Sequence, residues 1–264
     1  MLRALIFDVD GTLADTEELH RQAFNIAFVE HGLDWAWSAQ LYKKLLEMSG
    51  GKERILKFLA SLDQTPTQQD SIAKLIPAIH LSKTHIYKSL VDSGKLKLRP
   101  GIKRLILDAR SAGLHLAIAT TTTLDNVSAL LDAALGRGSI GWFDVVGAGD
   151  AVMHKKPAPD IYQLVLEKLN IDSKNCVAFE DSSNGLQAAL AAGLATVVTP
   201  TQWSADQDFS SASLLLPHLG DNEHPLEPDR RANLDLYKLE LSHLENILQQ
   251  RENMLEEDTA VSRR

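Results

Sequence analysis

The 264-residue sequence has one cysteine, no long apolar run and no excess of positive charge. The lone Cys176 excludes an internal disulfide, and its place in an apolar run predicts a buried thiol. No apolar run approaches the ~18 residues that a membrane helix needs. An apolar strand is predicted directly after Met1, so we expect no signal or transit peptide. We therefore expect a cytoplasmic protein.

The charge balance limits the possible partners. The formal net charge is -8, which argues against nucleic acid or an anionic membrane as the main partner. A small anionic substrate can still bind where positive charge is concentrated locally. Apolar residues make up 44% of the chain and charged residues 23%, as is typical of a globular protein with a sizeable core.

Short apolar runs, each followed by a helical pattern, indicate the fold. Strand alternating with helix is typical of a parallel sheet that is covered on both faces. The sequence therefore predicts an α/β fold with a Rossmann-like parallel sheet. The predicted strands are residues 2–9, 114–119, 143–146, 177–179 and 194–198, and the predicted core helices include residues 102–112, 124–135, 157–169 and 185–192.

One interval breaks this alternation. Between Val9 and Leu114 the pattern is helical and far longer than an ordinary crossover. An insertion after the first strand lies over the carboxyl ends of the strands, where open α/β sheets bind ligands. We predict a core domain of residues 1–15 and 96–220 and a helical cap of residues 16–95. The amphipathic stretches in the cap are residues 17–30, 38–46, 52–62 and 68–90.

The last part of the chain, residues 221–264, is predicted to be a helical extension. Its first part is polar and contains Pro225 and Pro228, and residues 234–255 carry apolar side chains at helical spacing. This helix could pack on the core or on a second subunit, and the sequence does not choose between the two. The expected state is a monomer or a weak homodimer.

The strongest chemical signal is Asp8-Val9-Asp10-Gly11-Thr12 at the end of the first strand. Two carboxylates this close are costly to desolvate unless a cation neutralises them, and Mg²⁺ prefers such oxygen ligands. Gly11 suits a sharp turn close to a ligand. For the motif alone, the alternatives are an acidic turn or a structural calcium loop.

This motif resembles the first motif of the haloacid dehalogenase-like phosphatases, in which the first Asp is the nucleophile and the second is the acid/base. The resemblance predicts three further motifs, and matching residues follow in order at the ends of predicted strands. They are a threonine, a lysine and an acidic pair. The resemblance implies Asp8, Asp10, Thr120 and Lys156 as catalytic residues, with Mg²⁺ held by Asp8, Asp10, Glu180 and Asp181.

The later motifs also have physical reasons, and alternatives, of their own. Thr120 opens a run of threonines whose hydroxyl and N–H groups favour phosphate oxygens at a helix start, although they could simply cap that helix. Asp181 can hold Mg²⁺ or cap the next helix. Lys156 would place a point charge on the phosphoryl group, whereas Lys155 is predicted to be a solvated surface residue.

The position of the helical insertion resembles the subgroup that contains β-phosphoglucomutase and the CbbY-like sugar phosphatases, which are described as xylulose-1,5-bisphosphate phosphatases. Residues 17–20, 50–55 and 119–122 carry the closer likeness to the latter. By this resemblance Glu17 and His20 contact the sugar hydroxyls, while Lys52 and Arg54 hold a distal phosphate. The implied substrate-binding residues are Glu17, His20, Gly51, Lys52, Arg54, Lys83, Arg99, Thr121 and Thr122.

Some assignments stay open at this stage. Arg99 is equally well a ligand or a surface charge, and the cationic segment that contains Lys52 and Arg54 could be an ordinary solvated helix terminus. Trp35 and Trp37 are predicted to pack inside the cap rather than to bind sugar. The likeness ends near residue 200, so no function is assigned to the rest of the chain.

Other functions share the same motifs. A phosphomutase would use the same phospho-Asp8 and return the phosphate to another hydroxyl, and the difference lies in how well the closed cap excludes water. The Lys52/Arg54 pair favours a sugar-bisphosphate phosphatase, and a broader sugar-monophosphate phosphatase is a further alternative. A non-catalytic binding protein is disfavoured because all four motifs are intact.

Overall fold

The structure, a computed structural model, describes residues 1–94, 96–227 and 236–262. A parallel sheet of six strands forms its centre, in the order β3-β2-β1-β4-β5-β6. The predicted α/β fold with a parallel sheet is confirmed. The strands are β1 (Ala4–Phe7), β2 (His115–Ala119), β3 (Val145–Gly147), β4 (Cys176–Glu180), β5 (Ala195–Val198) and β6 (Leu214–Leu215).

The five predicted strands are present, with shorter bounds in places. The first strand ends at Phe7 rather than at Val9, because the carbonyl of Val9 already accepts from the amide of Leu13 in a turn, at 2.9 Å. The sixth strand, Leu214–Leu215, was missed by the sequence analysis. Its two residues are too few for an apolar pattern to indicate a strand.

Helices α1 to α5 follow β1 and form the cap. Within residues 16–94 they pack on one another, and the long helices α1 and α5 lie side by side. The stretch that we predicted at residues 68–90 is two helices, because Pro77 starts a new helix in its first turn, where its missing N–H is tolerated. The helices are α1 (Glu17–Glu30), α2 (Ala39–Leu45), α3 (Gly51–Ala60), α4 (Pro66–Ala73) and α5 (Ile76–Asp92).

Aromatic side chains fill the centre of the cap. Phe24, Phe28, Trp35, Trp37 and Tyr42 are buried in one cluster, and the ring centroids of Phe28 and Trp37 lie 4.8 Å apart. The prediction that the two tryptophans pack inside the cap is confirmed. Edge-on and tilted ring pairs of this kind stabilise a fold by ~0.5–1.5 kcal/mol each beyond their buried area.

The remaining helices cover the two faces of the sheet. Two short 3-10 helices, Ser139–Trp142 and Ser173–Asn175, precede β3 and β4. No helix in the described part of the chain is both long enough and apolar enough to cross a lipid bilayer. The core helices are α6 (Ile102–Ser111), α7 (Leu124–Leu135), α8 (Asp160–Leu169), α9 (Ser183–Ala191) and α10 (Leu241–Ser262).

The last helix packs on the core. Leu244 and Leu248 of α10 are buried in the same apolar cluster as the β1 residues Leu5 and Phe7. The sequence left open whether this helix packs on the core or on a second subunit, and in the structure it packs on the core. The predicted extension includes residues 228–235 and 263–264, among them Pro228 and Leu234, and these lie outside the described residues.

Candidate active site

Acidic side chains from two adjacent strands meet at the carboxyl edge of the sheet. Asp8 follows β1, and Glu180 and Asp181 lie at the end of β4, which pairs with β1 in parallel. One carboxylate oxygen from each of the three lies within 4.8 Å of the others, and all three side chains are buried. Parallel neighbours end at the same edge, which is why residues so distant in the sequence converge.

Lys156 offsets part of this negative charge. Its buried Nζ donates to Asp8 Oδ1 at 2.6 Å, to Glu180 Oε1 at 2.6 Å and to the carbonyl of Ala119 at 2.8 Å. Although burial opposes the charged form, Asp8 and Glu180 hold the pKa of Lys156 above its usual range. Burial raises the pKa of Asp8 to about 7, against the lowering effect of Lys156.

Two glycines make room for the carboxylates. Gly11 has φ +84°, a conformation that side chains rarely adopt, and a Cβ there would overlap the carboxylate of Asp181. A Cβ at Gly185 in α9 would overlap the carboxylate of Glu180. The acidic cluster therefore needs both glycines as well as its own side chains.

The cluster is suited to a hard divalent cation. Glu180 Oε2 is buried and has no hydrogen-bond partner among the described residues. Burial, together with the nearby carboxylates of Glu17 and Asp8, raises the pKa of Asp181 well above its usual value. Three buried carboxylates beside one ammonium leave negative charge that a cation with oxygen ligands would neutralise.

The side chain of Asp10, which we had expected to bind the metal, lies outside the acidic cluster. Its Oδ1 accepts from Thr16 Oγ1 at 2.6 Å and lies 2.8 Å from His20 Nε2. Although burial opposes ionisation, His20 and Thr16 hold the pKa of Asp10 below its usual range. The carboxylate is thus oriented towards the cap rather than towards Asp8.

His20 and Lys83 extend this contact into the cap. Lys83 Nζ lies 2.7 Å from His20 Nδ1, and both side chains are buried against Tyr87. Burial lowers the pKa of Lys83 to about 7 and that of His20 to about 4. If Lys83 donates to Nδ1, then His20 Nε2 carries the proton and donates to Asp10.

The threonine run follows β2, which pairs with β1 on the side away from β4. Thr120 is buried next to Lys156 at the cleft, and its Oγ1 accepts from the amide of Thr122 at 3.3 Å. Thr121 lines both the part of the cleft that contains Asp8 and the part that contains Lys83, and Asp10 lies between the two parts. Thr122 lines only the part that contains Lys83. Thr123 caps α7 by accepting from the amide of Asn126. Both the predicted capping and the predicted cleft position are therefore present in this run.

Arg54 and Lys52 lie in different places, although they are neighbours on α3. Arg54 lines the cleft and is held by Tyr42 Oη at 3.1 Å and by the carbonyls of Leu45 and Met48, both at 3.2 Å. Lys52 does not line the cleft. Its Nζ pairs with the carboxylate of Asp150, a core residue, at 2.7 Å.

Gly51 and Lys83 both form part of the cleft wall. The packing around Gly51 explains why this position has no side chain. A Cβ at Gly51 would stand 2.5 Å from His80 Nε2 on α5. His80 lines the same part of the cleft, and burial lowers its pKa to about 3. The sequence analysis did not identify His80, because a single histidine on an amphipathic helix carries no motif.

Glu17 is buried where the cap joins the core. It lines the cleft, and its Oε1 lies 3.5 Å from Thr201 Oγ1. Its Oε2 has no hydrogen-bond partner within the described ranges. Burial raises the pKa of Glu17 to about 8, so this carboxyl group is prepared to donate as well as to accept.

Arg99 is not among the residues that line the cleft, and its role as a substrate ligand stays a prediction. Its guanidinium donates to the carbonyls of Gly11 and Thr199, and to those of Pro200 and Pro217 at 2.9 and 3.0 Å. These hydrogen bonds give Arg99 a structural role at the base of the cap. Lys155 also differs from prediction, because it is largely buried and pairs with Asp150 at 2.8 Å.

The sequence matches the family model of the haloacid dehalogenase-like hydrolases over residues 2–193. The chain belongs to this family. It is 52% identical to protein CbbY of Cupriavidus necator over 225 residues, which are 85% of this chain and 89% of that protein. A phosphorylated carbohydrates phosphatase of Thermotoga maritima is 32% identical over 73% of this chain and 82% of its own length.

A solved structure with the same fold carries a ligand. It is a variant of CbbY from Rhodobacter sphaeroides in complex with xylulose-1,5-bisphosphate, and it superposes with a TM-score of 0.77 at 46% identity, over 83% of this chain and 95% of that one. Together with the curated relatives, it supports the assignment of this haloacid dehalogenase-like hydrolase as a phosphatase.

One part of the hydrolase's cleft was missed entirely by the sequence analysis. Trp203, Ser204 and Gln207 line it, although they follow β5 in a segment to which no function was assigned. Their signal in the sequence is weak, because the segment is irregular and carries no motif of the family.

Proposed function

We propose that this hydrolase is a Mg²⁺-dependent phosphatase that removes one phosphate from a sugar bisphosphate, with xylulose-1,5-bisphosphate as the substrate. The observation that carries the proposal is the opposite charge at the two ends of one cleft. The end at Asp8 is a buried acidic cluster, and the end under the cap is lined by Arg54 and Lys83. The similarity to a CbbY that binds this sugar bisphosphate supports it.

The chemistry follows from the positions of Asp8 and Asp10. A carboxylate oxygen of Asp8 attacks phosphorus, the bond from phosphorus to the ester oxygen breaks, and that oxygen takes a proton from Asp10. Water then attacks the aspartyl-phosphate, Asp10 takes up its proton, and inorganic phosphate leaves with Asp8 restored. The low pKa of Asp10 favours its action as a base in the second half. Before the first half, Asp10 must therefore take up from solvent the proton that it gives to the ester oxygen.

Other residues hold the reacting groups. Lys156 and Thr120 neutralise and orient the phosphoryl oxygens, because both lie beside Asp8 in a buried environment. Asp8, Glu180 and Asp181 would hold Mg²⁺, which when bound supplies positive charge for the phosphoryl group. His20 and Lys83 orient Asp10 from the cap.

The distal phosphate would bind between the two domains. Arg54, Lys83 and His80 line this part of the cleft beside the start of α3, where amide groups favour an anion. Glu17 and His20 are proposed to contact sugar hydroxyls, and Thr121 and Thr122 to contact the distal group. Lys52 would reach it only by leaving Asp150. The cytoplasmic location of the protein and its monomeric or weakly dimeric state remain predictions.

The decisive experiment compares substrates and products. We expect phosphate release from xylulose-1,5-bisphosphate with Mg²⁺, a kcat/KM at least about 100-fold higher than for xylulose 5-phosphate, and no release with excess chelator. The conversion of β-glucose 1-phosphate is measured in parallel. Dominant isomerisation of that compound would identify a phosphomutase, and equal rates for mono- and bisphosphates would contradict the distal site.

A further inference from the structure

A short core segment, residues 201–207, contacts both the acidic cluster and the cap; we name it the docking loop. On the core side, Ser204 Oγ donates to the carbonyl of Asp181 at 2.7 Å. Gln207 Oε1 accepts from the amide of Ser183 at the start of α9, also at 2.7 Å. The docking loop is therefore fixed to the strand end that carries Glu180 and Asp181.

The other side of the docking loop contacts the cap. Trp203 is only 8% exposed and lies edge-on to Tyr42, with the ring centroids 5.7 Å apart. Every other buried residue of the aromatic cluster around Tyr42 belongs to the cap. Asp206 forms an ion pair with Lys43 of α2 at 2.9 Å. Trp203 thus belongs to the core domain but completes the hydrophobic cluster inside the cap.

Trp203 also lines the cleft. It faces the same space as Asp181 of the core and Arg54 of the cap. Arg54 lies over the Tyr42 ring, with its Cζ 5.2 Å from the centroid, so indole, phenol and guanidinium form one continuous wall. If the cap moves away from the core, this wall separates between Trp203 and Tyr42, and the edge-to-face contact of the two rings becomes exposed to water.

We propose that Trp203 is the positioning residue through which the closed cap engages the core, so that the cleft wall of Trp203, Tyr42 and Arg54 is complete only when the indole is seated against Tyr42. The docking loop connects that contact to the acidic cluster through Ser204 and Asp181. The inference rests on the proposed function in one respect, namely that a sugar phosphate is the substrate that requires the cap.

The test uses a matched pair of tryptophans. Trp203→Leu removes the indole at the domain boundary, and Trp35→Leu removes one from the same aromatic cluster away from the cleft. Trp203→Phe keeps an aromatic face and is the conservative variant. Each is assayed with xylulose-1,5-bisphosphate and with acetyl phosphate, which is small enough to reach Asp8 without cap contacts.

For Trp203→Leu we expect kcat/KM for the bisphosphate to fall by about 10-fold, mainly through KM. The rate with acetyl phosphate should fall by a clearly smaller factor, and Trp203→Phe should restore most of the loss in kcat/KM for the bisphosphate. Trp35→Leu should lower the temperature of thermal unfolding, and it should leave the ratio of the two activities close to that of the wild type. Equal losses on both substrates by Trp203→Leu would reduce Trp203 to a structural residue and overturn the proposal.

A second measurement is independent of the substrate. Hydrogen exchange of the α2 amides should be about 5-fold faster in Trp203→Leu than in the wild type, with α6 unchanged. Unchanged exchange in α2 would also overturn the proposal. If no sugar phosphate is hydrolysed by the wild type but α2 exchanges faster in the variant, the proposed function fails and the role of Trp203 stands.

Discussion

The core and the cap bury ionisable groups of mainly opposite sign beside one cleft, with Lys156 of the core and Glu17 of the cap as exceptions. In the core, burial raises the pKa of Asp8 to about 7, with Glu180 and Asp181 close by. In the cap, burial lowers the pKa of Lys83 to about 7 and that of His80 to about 3. Both sets of groups are disfavoured in their charged forms.

This difference indicates what each half needs. The carboxylates of the core are stabilised by a cation, and the basic groups of the cap are stabilised by an anion. The proposed magnesium ion and the distal phosphate of the proposed bisphosphate substrate would meet these two needs. The following predictions test that comparison, starting with the largest effect.

Replacing the nucleophile should abolish turnover. We expect Asp8→Asn to lower phosphate release from a sugar bisphosphate by about 10⁴-fold or more, because an amide cannot act as the nucleophile. Thermal unfolding should not suffer, since one of three crowded carboxylates is neutralised. The exposed Asp70 provides the control, and Asp70→Asn should retain full activity. Substantial turnover by Asp8→Asn would refute the assignment of the nucleophile.

Magnesium should stabilise the core side selectively. Adding Mg²⁺ at about 100 times its Kd should raise Tm by about 5 °C, because the ion binds the folded carboxylate cluster. In Asp181→Asn most of this shift should be lost, whereas Glu167→Gln on the exposed face of α8 should keep it. Differential scanning fluorimetry measures all three. An undiminished shift in Asp181→Asn would mean that the ion binds elsewhere.

The buried cation of the cap should cost stability. Between pH 7 and 10.5 the unfolded Lys83 binds a proton that the folded one does not, so wild-type stability rises with pH in this window. Lys83→Met should therefore be more stable than the wild type by about 1–3 kcal/mol at pH 6.5, and by less at pH 9. Its activity should fall, because His20 loses the Lys83 contact that orients it towards Asp10.

Urea unfolding at the two pH values measures the difference. Lys74→Met, on the cap surface, should change stability by less than about 0.5 kcal/mol at either pH. A destabilised Lys83→Met would show that the ammonium is well compensated in the cap, and the comparison with the core would then fail.

The smallest effect concerns the ion pairs between the two halves. A double-mutant cycle of Lys52→Gln and Asp150→Asn should give a coupling of ~0.2–1 kcal/mol in thermal stability, and high salt should reduce it. The cycle of Lys43→Gln and Asp206→Asn is the matched comparison. If Lys52→Gln alone raises KM for a bisphosphate by about 100-fold, Lys52 is a phosphate ligand.

Sequence reasoning worked best where one local pattern determines the outcome. The bounds of α1 and α7 follow from helical periodicity with clear ends. Asp8 and Lys156 come together because Asp8 follows β1 and Lys156 lies in the connection from β3 to α8, at the same edge of one parallel sheet. Such features depend on a few adjacent residues. They could be predicted without knowledge of the other domain.

The failures involve contacts between segments far apart in the chain. Lys52 pairs with Asp150, and Arg99 donates to the carbonyls of Pro200 and Pro217, so neither side chain lines the cleft in this structure. Trp203 contributes to a cluster whose other buried members lie within residues 24–79. No local pattern encodes such partners, because only the assembled fold decides which charge or ring is nearest.

The hydrogen bonds of the part-buried Arg99 have a consequence for how this enzyme can change. Its guanidinium ties the turn after β1 to the loop after β5, and its amide donates to the carbonyl of Leu13 at 2.8 Å, so both chain crossings into the cap are clamped at one point. The inserted helices can then be lengthened, shortened or exchanged without moving the place where they enter. A foreign cap grafted between residues 16 and 95 would keep the same pivot, which makes substrate preference a transplantable property of this scaffold.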